Sequence, residues 1–209
     1  MNRYRSGTSR LLIWLLAILA IPVVHVGTAL SLDDPQRIER VMEQELAYLG
    51  LEKSPRSQAL VEQAAWLGYD VAYRQTGIEE LTRDPETKDP LARTVMGAWD
   101  GVWAWVLAME LIFIRGAVLV MVLPLLILAW WLAAWDGWAG WYLRRTVGGR
   151  ESAFIYHRTK AGLRHGSIGL IFAYLAAPIA LNPTWIFPPL IVTSALLSRY
   201  TVTYFKKYL

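Results

Sequence analysis

The sequence predicts an all-α polytopic membrane protein with four transmembrane helices and a small exported helical hairpin. Three observations lead there. Hydrophobic residues make up 55% of the 209 positions, with 11 Trp and a mean hydropathy of +0.31, above the range of ordinary globular chains. Two separate runs of twenty residues contain no charge. The charges themselves are segregated: Ser31 to Leu91 carries 13 acidic residues against 7 basic ones, whereas Arg144 to His165 carries 6 basic residues against Glu151 alone. Opposite signs on either side of an apolar run place the two segments on opposite sides of a bilayer.

The elements follow in order. Residues 1–10 form a short cytoplasmic N-terminus, whose Arg3, Arg5 and Arg10 hold it inside. Residues 11–30 form the first span, because twenty helical residues at about 1.5 Å each cover the roughly 30 Å hydrocarbon layer. A cleaved signal peptide is the rival reading of this run, with Gly27 and Ala29 as a small-x-small site, and it exports the following segment equally well. Residues 31–92 form the exported segment. Asp33 or Asp34 can cap a helix with Pro35 in its first turn, Ile38, Val41, Met42 and Leu49 share a face, and Gly50 can end it. Ser54-Pro55 opens a second helix through Val61, Leu67, Gly68 and Val71 to Thr76-Gly77, antiparallel to the first. Two short helices bury little alone, so this cap should pack on the membrane helices or on a partner.

Residues 93–143 are expected to form one long helix containing the second span. Splitting them at Arg115-Gly116 would demand a hairpin with no loop and would leave the basic segment outside. Pro124 predicts a kink. Trp99, Trp103 and Trp105 would mark the outer interface, and Trp130, Trp131, Trp135, Trp138 and Trp141 the inner one. Residues 144–166 are then a basic cytoplasmic loop, 167–181 and 185–205 the third and fourth spans joined at Asn182-Pro183-Thr184, and 206–209 the cytoplasmic C-terminus, towards which Arg199 can snorkel. Gly97-x-x-x-Gly101 offers a site of close helix approach.

Chemistry is sparse. The chain has no Cys and three scattered His, so thiol catalysis, disulfides and a Cys or His metal centre are not expected. No nucleophile, zincin or P-loop motif occurs, so no cofactor and no enzymatic activity are expected. Arg144, Arg145, Arg150, Glu151, Tyr156, His157 and Arg158 form a polar cluster larger than topology alone requires. In a juxtamembrane position such a cluster attracts anionic lipid headgroups or docks a protein. Arg and Tyr can also hold phosphates and stack on bases, but no dedicated nucleic-acid module accompanies them, and DNA contact is the weaker alternative. Intramembrane polar residues default to a functional hypothesis. His25 could relay protons or bond to a neighbouring helix, and Glu110, Arg115 and Asp136 border the second span. Glu110 and Arg115 lie five apart, about 140° around a helix, and should face other helices or other subunits of a self-associated assembly.

The stretch WDGWAGWYLRRTVGGRESAFIYHRTK, Trp135 to Lys160, followed by a last helix ending Phe205-Lys206-Lys207-Tyr208-Leu209, resembles the integrating conjugative element membrane proteins. That resemblance implies a bacterial inner-membrane protein encoded with conjugative transfer functions, near the coupling ATPase that delivers DNA to a type IV secretion channel. It implies no catalytic role for any of these residues. A small transporter using His25, Glu110 and Arg115, or a surface-exclusion factor acting through the exported helices, are the alternatives. Electrostatic sidedness is testable directly: a label inserted beside Gly149 should stay inaccessible to impermeant reagents applied outside intact cells, and labelling from outside would invert the topology.

Overall fold

The protein is described from a computed structural model, covering residues 7–32, 34, 36–50, 54–83, 90–147 and 152–205, with side chains from residue 19 onward. Among these residues the chain is all-α: α1 (Gly7–Ser31), α2 (Arg37–Leu49), α3 (Pro55–Tyr69), α4 (Ile78–Thr82), α5 (Pro90–Gly97), α6 (Trp99–Val147), α7 (Ala153–Ala161), α8 (Ser167–Ala176) and α9 (Pro183–Thr203). It divides into two compact units that share α6: residues 1–117 with 174–181, and residues 118–173 with 182–209.

In the first unit local chemistry sets the helix ends. Ser54 caps α3 by accepting from the Ser57 amide, with Pro55 at the first position where its missing N–H costs nothing. Gly50 and Gly77 adopt φ of +53° and +79°, the left-handed conformation that stops α2 and precedes α4. The α2 cap differs from expectation: Gln36 occupies it without a side-chain bond, and the Asp34 carboxylate instead pairs with Arg40. Asp33 and Pro35 lie outside the described residues. The core is built from three helices, with Ala29 of α1, Ile38 and Val41 of α2, and Ala104, Leu107, Ala108 and Leu111 of α6 all buried. α3 meets α6 at Gly68, where an added Cβ would stand 2.7 Å from Glu110 Cα. α2 and α3 thus find their apolar partner in α6, because two short amphipathic helices cannot bury their faces in each other alone.

In the second unit α6 runs unbroken through Pro124, and its final turns face α9, where an added Cβ on Gly137 would lie 2.6 Å from the Arg199 carbonyl. The segment expected as a connecting loop, residues 144–166, is helical on both flanks: α6 continues to Val147, and α7 leads through a π-helical turn, Gly162–Gly166, into α8. Ser152 caps α7 by accepting from the Ile155 amide.

The four-span expectation requires correction. By length and composition one described helix, α6, is long and apolar enough to cross a membrane; no membrane is present. α8 contains only ten residues and ends at Ala176 rather than Leu181. Pro178 explains the break, since it disfavours the helical conformation of Ala177 and supplies no amide hydrogen. α9 has 21 residues, but its apolar run is interrupted by Pro188, Pro189, Ser194, Ser198 and Arg199. α1 is apolar from Leu19 to Ser31, and its preceding side chains lie outside the described set.

The Gly97-x-x-x-Gly101 pair has open space around it, so the close approaches are at Gly68 and Gly137 instead. Substitutions should separate these classes. Gly68→Val and Gly137→Ala should each destabilise the purified protein by about 1–3 kcal/mol through backbone clash, while Gly101→Ala should stabilise it by up to about 1 kcal/mol, as read by thermal loss of the helical circular-dichroism signal.

Candidate functional site

Two polar constellations stand out, one in each unit. The first centres on Arg115, which α6 places wholly inside the protein at 0% exposure, with Glu45 of α2 beside it at 3%. The guanidinium uses every donor it has. Its Nε donates to both Glu45 oxygens at 3.2 and 3.1 Å, and Nη2 donates to Glu45 Oε1 at 2.6 Å and to the Ile179 carbonyl at 2.9 Å. Nη1 donates to the carbonyls of Tyr174, Leu175 and Ala177 at 2.9, 3.0 and 2.8 Å. Glu45 Oε1 also accepts from the Leu181 amide at 3.0 Å. The arginine side chain therefore caps the C-terminal end of α8 and the broken strand of backbone after it, where a helix leaves its last carbonyls without intrahelical partners and where positive charge is favoured. His25, 1% exposed, donates from Nε2 to the Leu175 carbonyl at 3.0 Å, so it is bonded to a neighbouring segment. Arg37 adds a bond to the Pro178 carbonyl at 3.3 Å.

Glu110 and Arg115 remain apart, as their spacing requires, and Glu110 is half-buried against the α3 contact at Gly68. Sequence reasoning missed Glu45 as Arg115's partner. Its signal was present: Glu45 interrupts the apolar face of Ile38, Val41, Met42 and Leu49, and a carboxylate at a core position demands a buried cation.

The second constellation gathers the end of α6, α7 and the end of α9. Arg144 is half-buried, with its guanidinium 4.7 Å from the Tyr204 ring centroid. Tyr156 packs edge-on against Phe205 at 5.7 Å and against His157 at 5.3 Å. Arg145, His157 and Arg158 are exposed, Arg145 resting over Trp141 and Arg158 over Phe154. Of the seven residues singled out in this cluster, then, three face outward and two are built into packing; Arg150 and Glu151 lie outside the described residues. Asp136 forms an ion pair with Arg199, which therefore turns to α6 rather than towards Lys206 and Lys207, themselves outside the described set. The tryptophans do not form a flat belt. Trp131, Trp135, Trp138 and Tyr142 follow one another along one face of α6, the tryptophans edge to face and Tyr142 tilted against Trp138, with ring centroids 5.9, 5.6 and 6.4 Å apart, while Trp130 turns inward to donate to Ser194 Oγ at 2.9 Å.

A family model described as IncC plasmid conjugative DNA transfer protein DtrJ-like matches residues 31–206. The chain belongs to the DtrJ-like family. It is accordingly a protein related to conjugative DNA transfer. No curated protein and no solved structure matches it. The DtrJ-like match spans both constellations, from the end of α1 past Phe205.

The magnitudes decide which part of the Arg115 cage matters most. Each buried carbonyl that loses a partner costs about 1–3 kcal/mol, and Arg115 serves four, of which Leu175 keeps a second donor in His25, whereas an ion pair replaced by a neutral acceptor keeps much of its hydrogen bonding. Arg115→Met should therefore lower stability by about 3–5 kcal/mol and Glu45→Gln by about 1–2 kcal/mol. Denaturant unfolding of the two purified variants checks the order; a larger loss for Glu45→Gln would show that the ion pair rather than the carbonyl cage dominates.

Proposed function

We propose that this DtrJ-like chain is a non-enzymatic inner-membrane component of a conjugative DNA-transfer apparatus. In this reading it is anchored by α6 with α1 before it, the helices between these two are periplasmic and both termini cytoplasmic, and it docks a cytoplasmic partner such as the coupling ATPase. The integrating conjugative element resemblance of Trp135 to Lys160 favours the same process. The observation that carries the membrane placement is the change of character along α6. From Ala104 to Val118 its apolar side chains are buried or half-buried by protein, Val106, Ala108 and Leu111 completely. From Val120 onward large apolar side chains are exposed, with Leu125 at 57%, Leu132 at 54% and Leu143 at 61%. A continuous apolar surface of that kind is unfavourable in water by about 25 cal/mol per Å² and marks contact with lipid or with another protein.

The docking role falls to Arg145, His157 and Arg158, the exposed members of the basic cluster, with Arg144 and Tyr156 holding α6, α7 and α9 in register beneath them. The transport alternative needs His25 and Arg115 free to exchange partners during a cycle; both are buried, and Arg115 has every N–H donor engaged. His157→Ala combined with Arg158→Ala should reduce recovery of the coupling ATPase with the purified membrane complex, and transfer frequency, at least about tenfold, the loss of roughly 1.4 kcal/mol of docking free energy. Unchanged recovery and unchanged transfer would remove the cluster from docking.

A further inference from the structure

We infer that the second unit holds a specific site for one anionic phospholipid, in the groove between the end of α6, α7 and the end of α9. The groove has a volume of about 390 Å³, and Trp138, Trp141, Tyr156, Lys160, Val202 and Phe205 line it. That volume lies within the range of about 300–1,000 Å³ typical of small-ligand pockets. Its walls are aromatic and aliphatic, and among the described residues that line it the one cation is Lys160, whose Nζ stands 5.6 Å from the Tyr156 ring centroid. Thr201, also on the wall, is already engaged with the Leu197 carbonyl and Thr159. Among the described residues Lys160 has no acidic partner, and Glu151 is the only acidic residue in the sequence from Gly137 to Leu209. An apolar floor with an ammonium at its side that pairs with no described carboxylate matches a ligand with an apolar chain and a headgroup of net negative charge.

The same features disfavour a peptide. An extended acidic segment laid in this groove would bring amides and carbonyls against aromatic walls that offer few hydrogen-bonding groups, at about 1–3 kcal/mol for each group left unpaired. An acyl chain carries none. Lys160 and the tryptophans are distinct from the exposed docking residues Arg145, His157 and Arg158, so lipid and protein partner need not compete for the same side chains.

The site rests on the membrane placement proposed above, and the two are tested separately. The full chain, purified in mild detergent and stripped of lipid, is titrated with phosphatidylglycerol or phosphatidylcholine, and bound lipid is counted by native mass spectrometry. Wild type should retain phosphatidylglycerol in preference to phosphatidylcholine. Lys160→Gln should lower phosphatidylglycerol retention about fivefold, the worth of one cation beside an anionic headgroup, and leave phosphatidylcholine unchanged. Trp138→Ala, an exposed side chain whose loss spares the core, should lower retention of both lipids. Arg164→Gln, an exposed cation off the groove, should leave the preference intact. Equal retention of the two lipids by wild type, a preference untouched by Lys160→Gln, a retention untouched by Trp138→Ala, or a preference lost equally with Arg164→Gln overturns the site. Displacement of phosphatidylglycerol by a polyglutamate peptide through Lys160 overturns it in favour of a protein groove. Absence of the chain from the membrane fraction refutes the placement alone, because the lipid titration in detergent does not depend on it.

Discussion

Arg115 is the interaction on which the first unit depends. A guanidinium at zero exposure is tolerable only if its charge is balanced and all its hydrogens are used, and here one carboxylate supplies the charge while four backbone carbonyls take the remaining donors. The arrangement solves two problems at once. The chain between Ala176 and Asn182 has left the helix, so its polar groups need partners, and the arginine needs acceptors that a purely apolar core would not give. A lysine could not serve, since three donors on a point charge cannot span a carboxylate and carbonyls four residues apart in sequence. The cage therefore ties α2, α6 and the segment after α8 into one body, with His25 bringing α1 to the same segment through Leu175.

The second unit is organised by shape and by aromatic packing. Gly137 and Gly140 let α9 approach α6 closely, Asp136 neutralises Arg199, the Thr203 hydroxyl donates to the Gly137 carbonyl, and the Trp130 indole donates to Ser194. An exposed ion pair in water would add little, but in an apolar setting a pair is what makes either charge admissible. The exposed ladder from Trp131 to Tyr142 extends along the axis of α6 and not around a single ring. Between this ladder and α7 lies the groove assigned to lipid, and on the other exposure of α7 lie His157 and Arg158. Proximity of lipid and protein contacts on one short helix would let the membrane fix the orientation in which a partner is met.

Much of this was legible from residue patterns. Uncharged length marked α6, Ser54-Pro55 marked the start of α3, and Gly50 and Gly77 marked stops, because each of these signals acts through local geometry within a few residues. The five-residue spacing of Glu110 and Arg115 was enough to exclude their pairing. The early end of α8 was half visible: Pro178 announced a break, but apolarity through Leu181 argued for continuation, and what decided was an arginine 63 positions earlier that could receive the freed carbonyls.

The sequence by itself determined helical character, the segregation of acidic and basic segments, the absence of thiol chemistry, and the residues from which a docking face could be made. These follow from composition and from periodicities shorter than two helical turns. Only the tertiary structure decided that Glu45 and Arg115, seventy residues apart, share one buried cage, that Arg144 and Tyr156 are packing while His157 and Arg158 are surface, and that α6 is mostly enclosed from Ala104 to Val118 but exposes large apolar side chains beyond Val120 on the faces that α9 does not cover. Those outcomes depend on which faces meet, and partner choice between distant helices is set by the summed packing and hydrogen bonding of the whole unit, a quantity that no short stretch of chain contains.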